Sequence, residues 1–263
     1  MNTFLRWAGS KRKLLPILLH RVPDSFDRYI EPFAGSACLF FALEPRRAIL
    51  ADINEDLVNV YRAIKSNVSG VINHLSSFTC DEREYYRVRS ETITVMSRLR
   101  RAARFIYLNR FCFNGLYRTN KQGQFNVPYG GYKAGVLPCE DLLRSCAASL
   151  RNAALVADSF EQTLEQVQPG DFVYLDPPYS IASRRVFNEY SHFSFGNSEL
   201  RCLRAHLLRL DKMRARFLVS YGVSREAQEL AEGFDSRQIV VQRQIAGFAN
   251  KRRQSRELLI TNY

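Results

Sequence analysis

Apolar and polar residues follow two different spacings over the first part of the chain. Residues 28–43 (RYIEPFAGSACLFFAL) begin with a short apolar run, pass through small residues and continue with helical spacing, which predicts a strand, a turn and a helix. Residues 46–54 (RRAILADIN) predict a second buried strand that ends at Asp52. Strands that alternate with helices in this way are typical of a parallel sheet covered by helices.

The same alternation returns in the second half of the chain. Four apolar runs predict further strands with helices between most of them, and residues 256–262 (RELLITN) predict a last strand. The four runs are AALVAD, DFVYLD, RFLVSYG and QIVVQRQI. Together with the two earlier strands, they predict one open sheet in an α/β fold.

A segment of different character separates the two halves. Residues 89–111 show helical spacing with arginines at the polar positions, which predicts helix. Residues 113–133 are rich in Gly, Asn and aromatic side chains, which predicts a β-hairpin arm. The sheet is therefore expected to be interrupted by an insert.

The positive charge of the chain is concentrated in this insert. The whole chain has a net charge of +12 and a pI of about 9.6, and residues 81–133 hold 11 Lys or Arg against 4 Asp or Glu. Such a basic surface favours a polyanionic partner, either nucleic acid or an anionic membrane. No apolar run reaches the roughly 18 residues of a membrane span, and the leucine-rich start contains Pro16 and leads to no cleavage site. A membrane-spanning or secreted protein is therefore not predicted.

The cysteines and histidines show no pattern of a disulfide framework or a metal site. The six cysteines are scattered without a close CxxC pair, and the four histidines are isolated. This predicts reduced thiols in the cytoplasm and no metal.

Two segments carry a candidate binding site for an adenosine compound. In EPFAGSA, residues 31–37, a strand leads through small residues into a helix, which lets a ligand approach the backbone closely. Asp52 ends the next strand, 17 residues after Gly35, where an acid can bind ribose hydroxyls. The chain lacks GxGxxG and the phosphate-binding GxxxxGK[ST], so S-adenosylmethionine fits better than a nucleotide with phosphates. The alternative is a turn glycine followed by a solvated acid.

The sequence DPPY, residues 176–179, follows a buried strand directly. Asp176 and the carbonyl of Pro177 offer two acceptors on a loop stiffened by Pro178, and together they suit both hydrogens of an exocyclic amine. Tyr179 is placed to stack on the attached ring. The alternative is a rigid surface turn.

Taken together, these motifs resemble the Dam-like, adenine-specific DNA methyltransferases over nearly the whole chain. The matching segments are FLRWAGSKRKL, EPFAGS, ILADIN, YLNRFCFNGLYRTNKQGQFNVPYG, YLDPPY and ELLITN, in the order of the family. The resemblance implies a Rossmann-like, seven-stranded methyltransferase sheet with an inserted helical target-recognition domain that carries a β-hairpin. The catalytic domain would comprise residues 1–56 and 146–263, and the insert would comprise residues 57–145.

The resemblance also implies roles for individual residues. The catalytic residues would be Asp176, Pro177, Pro178 and Tyr179. The residues that bind the cofactor would be Trp7, Lys11, Phe33, Gly35, Asp52, Ser159, Phe160 and Asp176. The residues that contact DNA would be Arg6, Asn114, Leu116 and Arg118.

Within the DNA-contacting set, Leu116 would be an apolar tip that enters the space of an extruded base, and Arg118 would read guanine. A loop over residues 249–256 (ANKRRQSR) would contact phosphates rather than bases. Two positions depart from the family pattern. Ala37 replaces a glycine, which adds a methyl near the cofactor, and Phe113 replaces a tyrosine.

The resulting hypothesis is a site-specific enzyme that transfers a methyl group from S-adenosylmethionine to N6 of adenine in double-stranded DNA, with GATC as the expected site. We expect a cytoplasmic monomer, encoded by a bacterium or a phage, with or without a partner restriction endonuclease. Two alternatives stay open. One is methylation of RNA or of a protein amide, and the other is a non-catalytic DNA-binding regulator with the same fold.

Overall fold

The computed structural model describes residues 2–179, 195–244 and 252–263, and it contains a seven-stranded sheet. The strands follow the order β3-β2-β1-β4-β5-β7-β6. β1 to β5 are mutually parallel, and β7 runs antiparallel between β5 and β6. The strands are β1 Tyr29–Glu31, β2 Ala48–Ala51, β3 Ala153–Val156, β4 Phe172–Leu175, β5 Arg216–Gly222, β6 Asp235–Gln244 and β7 Arg252–Thr261.

This topology confirms the predicted Rossmann-like sheet. The strand order changes direction between β1 and β4, which leaves a crevice at the carboxyl ends of these two strands. In open α/β sheets, ligands bind at such a switch point. All the strands expected from the apolar runs are present, although β7 begins at Arg252, before the predicted start at residue 256.

Both faces of the sheet are covered, which explains why its strands are almost continuously apolar. Tyr29 and Phe172 pack on one face, and their neighbours Ile30 and Val173 pack on the other. Helices α1 Leu15–Leu19, α2 Cys38–Leu43, α3 Glu55–Ser76 and α6 Glu140–Leu150 contribute to the first face, and α7 Phe160–Glu165, α8 Asn197–Lys212 and α9 Arg225–Ala231 contribute to the second.

The segment between β2 and β3 is largely helical, as predicted. α3 is kinked at Asn67, whose side chain accepts a hydrogen bond from the backbone N–H of Gly70 at 2.9 Å. Helices α4 Glu82–Ser90 and α5 Arg98–Phe111 follow it. The helix expected over residues 89–111 is therefore interrupted, because Ser97 caps a new helix by accepting from the N–H of Arg100. The first core continues from the sheet through α3 into α5.

The predicted hairpin arm is present as two isolated antiparallel bridges. These pair Cys112 with Tyr129 and Thr119 with Phe125. A turn at residues 120–124 closes the arm, and the side chain of Asn120 accepts hydrogen bonds from two backbone N–H groups of this turn. The arm is therefore held mainly by local contacts rather than by a ladder of backbone pairs.

No helix in the described part of the chain is long and apolar enough to cross a membrane. Of the predicted phosphate-contacting segment 249–256, residues 249–251 lie outside the described residues, and residues 252–256 belong to β7 rather than to a loop.

Candidate active site

A cavity of about 660 Å³ opens at the carboxyl ends of β1, β2 and β4. Glu31 ends β1, Asp52 follows β2 and Asp176 follows β4, so three acids from separate strands meet at one edge of the sheet. The cavity is lined by every residue predicted to bind the cofactor or to act in catalysis: Trp7, Lys11, Phe33, Gly35, Asp52, Ser159, Phe160, Asp176, Pro177, Pro178 and Tyr179.

Asp52 fixes the loop that forms one wall of the cavity. Its Oδ2 accepts a hydrogen bond from the backbone N–H of Gly35 at 3.0 Å, and its Oδ1 accepts one from Asn54 at 2.9 Å. Burial raises the pKa of Asp52, and these two backbone hydrogen bonds oppose the rise. The carboxylate therefore joins the ends of β1 and β2 as well as facing the cavity.

Gly35 allows the chain to pass close to Trp7. Its φ is +47°, and a Cβ at this position would lie 2.9 Å from Cδ1 of the indole. The indole cannot retreat easily, because it is stacked against Tyr117 and Phe105 with ring centroids 5.8 and 6.3 Å away. Glycine is therefore required here both by the backbone conformation and by the close approach.

Ala37 stands where a glycine was expected, and its effect is on the strain of the backbone rather than on the shape of the cavity. Its φ is +48°, a left-handed conformation that is unfavourable for alanine by about 1–2 kcal/mol. The side chain is fully buried and does not line the cavity. The expectation of an added methyl near the cofactor is wrong, because the methyl packs into the core instead.

Asp176 is anchored through one of its two carboxylate oxygens. Oδ1 accepts hydrogen bonds from the ammonium of Lys11 and from Ser220 Oγ, the latter at 3.2 Å. Tyr174 contacts the same serine hydroxyl at 3.0 Å. Burial raises the pKa of Asp176, and the charge of Lys11 is the main opposing influence. Among the described residues, both contacts fall on Oδ1, so Oδ2 is the oxygen left for a substrate amine.

Lys11 lies at the centre of a group of charges. Its side chain is 4% exposed, contacts Asp176 and lies 3.7 Å from Oε2 of Glu257. The ammonium also lies 5.1 Å from the ring centroid of Tyr179. Burial alone would lower the pKa of Lys11, but the nearby charges, above all Asp176, outweigh burial and raise it. The lysine is therefore a fixed cation in the wall of the cavity.

Glu31 is a buried acid in the cavity wall that was not predicted as a site residue. It is 2% exposed and accepts a hydrogen bond from Tyr29 Oη at 2.9 Å. Burial raises the pKa of Glu31 well above its usual range, and the charges of Asp176 and Asp52 add to the rise. Glu257 was also missed as a site residue. The signal for both was present, because each lies in a segment that carried the family resemblance, EPFAGS or ELLITN.

Part of the cavity lining is aromatic. Phe33 stacks on Phe160 with ring centroids 5.3 Å apart, and Phe195 packs edge-on against Phe33. Ser159 accepts a hydrogen bond from the N–H of Gln162 at 3.4 Å and so caps α7, which places Phe160 at the rim. These two rings, inclined by 28°, offer an aromatic surface in the same cavity as Asp52, against which a flat heterocycle can pack.

The DPPY segment lines the cavity directly after β4. Pro177 is buried and Pro178 is exposed, and Tyr179 packs edge-on against Tyr221 of β5 with ring centroids 5.1 Å apart. The Tyr179 ring thus has a defined orientation between β5 and Lys11.

Three of the predicted DNA-contacting residues, Asn114, Leu116 and Arg118, belong to the arm, and Arg6 contacts this arm from the N-terminal segment. A Cβ on Gly115 would lie 2.6 Å from Cβ of Arg6, so the backbone of the arm touches this arginine. Asn109 of α5 is 2% exposed and clamps the Arg6 backbone twice. Its Oδ1 accepts from the N–H of Arg6 at 2.8 Å, and its Nδ2 donates to the carbonyl of Arg6 at 2.6 Å.

The structure modifies the expectations for the arm itself. Leu116 is half-buried against the core instead of standing on an exposed tip. Asn114 has a φ of +56° and lies in the short turn that precedes Leu116. Nε of Arg118 donates to Oδ1 of Asn126 at 2.7 Å, which holds the guanidinium in one orientation. Within the arm, the turn residues 121–124, Pro128 and residues 131–133 are exposed.

Within the described residues, no group of three or more His, Cys, Asp or Glu side chains is placed to hold a metal ion. The site therefore consists of a cavity with acidic and aromatic walls, next to a basic insert.

Comparisons with known proteins agree with this geometry. The model of the D12 class N6 adenine-specific DNA methyltransferases matches residues 7–245. The chain is 35% identical to the Type II methyltransferase M1.LlaDCHI of Lactococcus lactis, covering 100% of this chain and 96% of that protein. It is 35% identical to the Type II methyltransferase M.MjaIII of Methanocaldococcus jannaschii, covering 100% and 99%. It is 34% identical to the DNA adenine methylase of Haemophilus influenzae, covering 97% and 92%. The chain belongs to the D12 class of N6 adenine-specific DNA methyltransferases.

Proposed function

We propose that this protein transfers a methyl group from S-adenosylmethionine to N6 of an adenine extruded from double-stranded DNA, within GATC. One observation carries the proposal. Asp176, whose Oδ1 is anchored by Lys11 and Ser220, lies in the wall of the same cavity as Asp52 and the stacked Phe33 and Phe160 rings. Acceptors for an amine and an aromatic surface for an adenosine group therefore line one cavity.

The residues of the cavity fit S-adenosylmethionine. Phe33 and Phe160 would hold its adenine, Asp52 its ribose, and Trp7 and Lys11 the region of its methionine group. Ser159 would lie at the edge of the adenine ring, and Gly35 would leave room for the donor beside Trp7. When bound, the donor supplies an electrophilic methyl group on a positively charged sulfur.

Asp176 would act by orientation and by its charge. Oδ2 of Asp176 and the carbonyl of Pro177 would accept the two N–H groups of the adenine amine, which directs the nitrogen lone pair away from the ring and towards the methyl. The nitrogen gains a positive charge as its new bond to carbon forms, and the carboxylate stabilises this charge until a proton leaves the nitrogen. Tyr179 would stack on the extruded base.

The insert, residues 57–145, would recognise DNA. Its excess of basic side chains favours phosphate contacts, and the fixed guanidinium of Arg118 suits the two acceptors of guanine in the major groove. Arg6 would reach the same duplex from the cavity side, and Asn114 would contact bases beside it. Since Leu116 is half-buried, its entry into the base stack would require the arm to move. The resemblance of residues 113–118 to the Dam-like proteins is what favours GATC.

The experiment is methylation of duplex DNA by the purified protein, followed by digestion with endonucleases that differ in sensitivity to adenine methylation in GATC. The wild type should protect GATC and label N6 of adenine. Asp176→Ala should reduce transfer by at least about 10³-fold, because the amine loses its oriented acceptor. Lys11 keeps Glu257 as a neighbour in this variant, so cofactor binding should largely persist.

Three results would contradict the proposal. Equal labelling by Asp176→Ala and the wild type would exclude the mechanism. Preferred labelling of RNA or of a protein amide in a competition assay would exclude the substrate. Binding of S-adenosylmethionine and DNA without any transfer would favour a regulator. A fourth result, labelled adenine in another sequence, would correct only the GATC assignment.

A further inference from the structure

The cavity combines several acidic groups with few basic ones, in a protein whose net charge is +12. Glu31, Asp52, Glu161, Asp176 and Glu199 line it, and Lys11 is the only basic residue among the described residues that line it. Burial raises the pKa of Glu31 well above its usual range and so favours its neutral form. Beside Asp176, where the substrate amine would bind, the charge depends on Lys11 and on a further group that contacts this lysine.

The further group that contacts Lys11 is Glu257. It lies on β7, paired in register with Gly222 of β5, and it is 1% exposed. It does not line the cavity, but its Oε2 lies 3.7 Å from Nζ of Lys11, on which Asp176 also depends. One ammonium therefore faces two carboxylates. With all three groups ionised, this trio carries one excess negative charge instead of being neutral.

We propose that Glu257 keeps the part of the cavity beside Asp176 negative by sharing the charge of Lys11 with Asp176, and that this lets the enzyme bind the cationic methyl donor in preference to its neutral product. The inference rests on the proposed function, since it concerns S-adenosylmethionine and S-adenosylhomocysteine in the same cavity. Glu257 is a positioning residue in this account, because it acts through Lys11 and touches neither ligand.

The physical reason is the charge difference between the two ligands. S-adenosylmethionine carries a sulfonium and therefore one positive charge more than S-adenosylhomocysteine, while the rest of the two molecules is alike. A net negative charge in a partly desolvated cavity attracts the sulfonium more strongly than the same charge in water. Without Glu257, Lys11 would neutralise Asp176 fully and this preference would weaken. Product release would become slower relative to donor binding.

The experiment is calorimetric titration of the full chain with S-adenosylmethionine, S-adenosylhomocysteine and sinefungin, in which an amine replaces the sulfonium. Glu257→Gln removes the charge and keeps the shape. The ratio of the dissociation constants of S-adenosylhomocysteine and S-adenosylmethionine should fall about five-fold, and sinefungin should weaken together with S-adenosylmethionine. Glu229→Gln is the matched control, because Glu229 is 64% exposed on α9 and faces Arg225. It should leave the ratio unchanged.

A second variant separates the charge of Glu257 from its packing. Glu257→Asp keeps the negative charge on a side chain that is shorter by one methylene, so the ratio should stay near the wild-type value. If Glu257→Gln does not fold, a fall of the ratio by about five-fold in Glu257→Asp would still overturn the proposal.

Equal weakening of all three ligands by Glu257→Gln would show a merely structural role and overturn the proposal, as would a Glu257→Asp variant whose ratio falls as far as that of Glu257→Gln. A wild type that fails to bind S-adenosylmethionine would overturn the proposed function, and this inference with it. A wild type that binds the donor but gives no change of ratio in Glu257→Gln overturns the inference alone.

Discussion

The cavity and the insert have opposite electrostatic character, although they are adjacent in the fold. Among the described residues that line the cavity, Lys11 is the single basic residue, and there are five acids: Glu31, Asp52, Glu161, Asp176 and Glu199. Residues 81–133 hold 11 basic side chains against 4 acidic ones. This separation matches the two proposed ligands, since a cationic donor would be attracted to one region and a polyanion to the other.

The two regions also differ in how their side chains are held. Three acids of the cavity, Glu31, Asp52 and Asp176, lie at the carboxyl ends of buried strands of one sheet, so their positions are fixed by the core. The arm depends on two isolated bridges and on local side-chain contacts such as that between Arg118 and Asn126. Such a difference suits a rigid reaction site beside a recognition element that adapts to its target.

Among the variants that compare the cavity with the insert, the largest effect on stability and binding is expected at Asn109, where the two regions are joined. Asn109→Ala leaves both the N–H and the carbonyl of Arg6 without their partner, which should lower the free energy of unfolding by about 2–4 kcal/mol. Because Arg6 precedes Trp7, affinities for the donor and for DNA should weaken together. Chemical denaturation and the two binding titrations measure this.

Asn59→Ala is the control for Asn109→Ala, because the Asn59 side chain makes one exposed hydrogen bond, to the carbonyl of Arg98. It should cost less than about 1 kcal/mol. Loss of stability in Asn109→Ala without any loss of either affinity would show that the clamp does not couple the two regions.

An intermediate effect, confined to the insert, is expected from Arg118→Ala. Loss of a bidentate contact with guanine should reduce discrimination at one base pair by about 10- to 100-fold, with unchanged donor affinity. The measurement is kcat/KM on GATC duplexes and on duplexes changed at one position. Lys121→Ala is the control, since Lys121 is exposed on the turn and its loss should weaken binding to all sequences alike. Uniform weakening by Arg118→Ala would mean that Arg118 contacts phosphate.

The smallest effect, confined to the cavity, is expected from Gly35→Ala. The added methyl meets Trp7 and strains a backbone with positive φ, so donor affinity should fall about ten-fold while non-specific DNA affinity stays unchanged. Gly123→Ala is the control, because Gly123 has a φ of +75° and no atom within 4 Å of the added Cβ. Gly123→Ala should lower stability through backbone strain without lowering donor affinity. Equal donor affinity in Gly35→Ala and Gly123→Ala would refute the clash with Trp7.

The sheet and the cavity were predictable from sequence because their signals are local. A buried strand followed directly by Asp52 or by Asp176 places each acid at the carboxyl edge, whatever the rest of the fold does. The break before α5 was also signalled locally, by Ser97, but the helical spacing on both sides of it concealed the cap.

Contacts between distant segments were not predictable in this way. Glu257 reaches Lys11 only because β7 inserts antiparallel between β5 and β6, which no local pattern specifies. Asn109 lies among apolar positions of a helix, and its role depends on a segment far from it in sequence. The half-buried position of Leu116 likewise results from packing of the arm against the core.

Trp7 gives the protein a built-in optical reporter. It is the only tryptophan in the chain, it lines the cavity, and it stacks on Tyr117, the neighbour of Arg118 in the arm. Its emission spectrum therefore depends on one indole that touches both the pocket and the recognition element. Unlabelled protein in a stopped-flow fluorimeter would thus give the order and the rates of donor and duplex arrival.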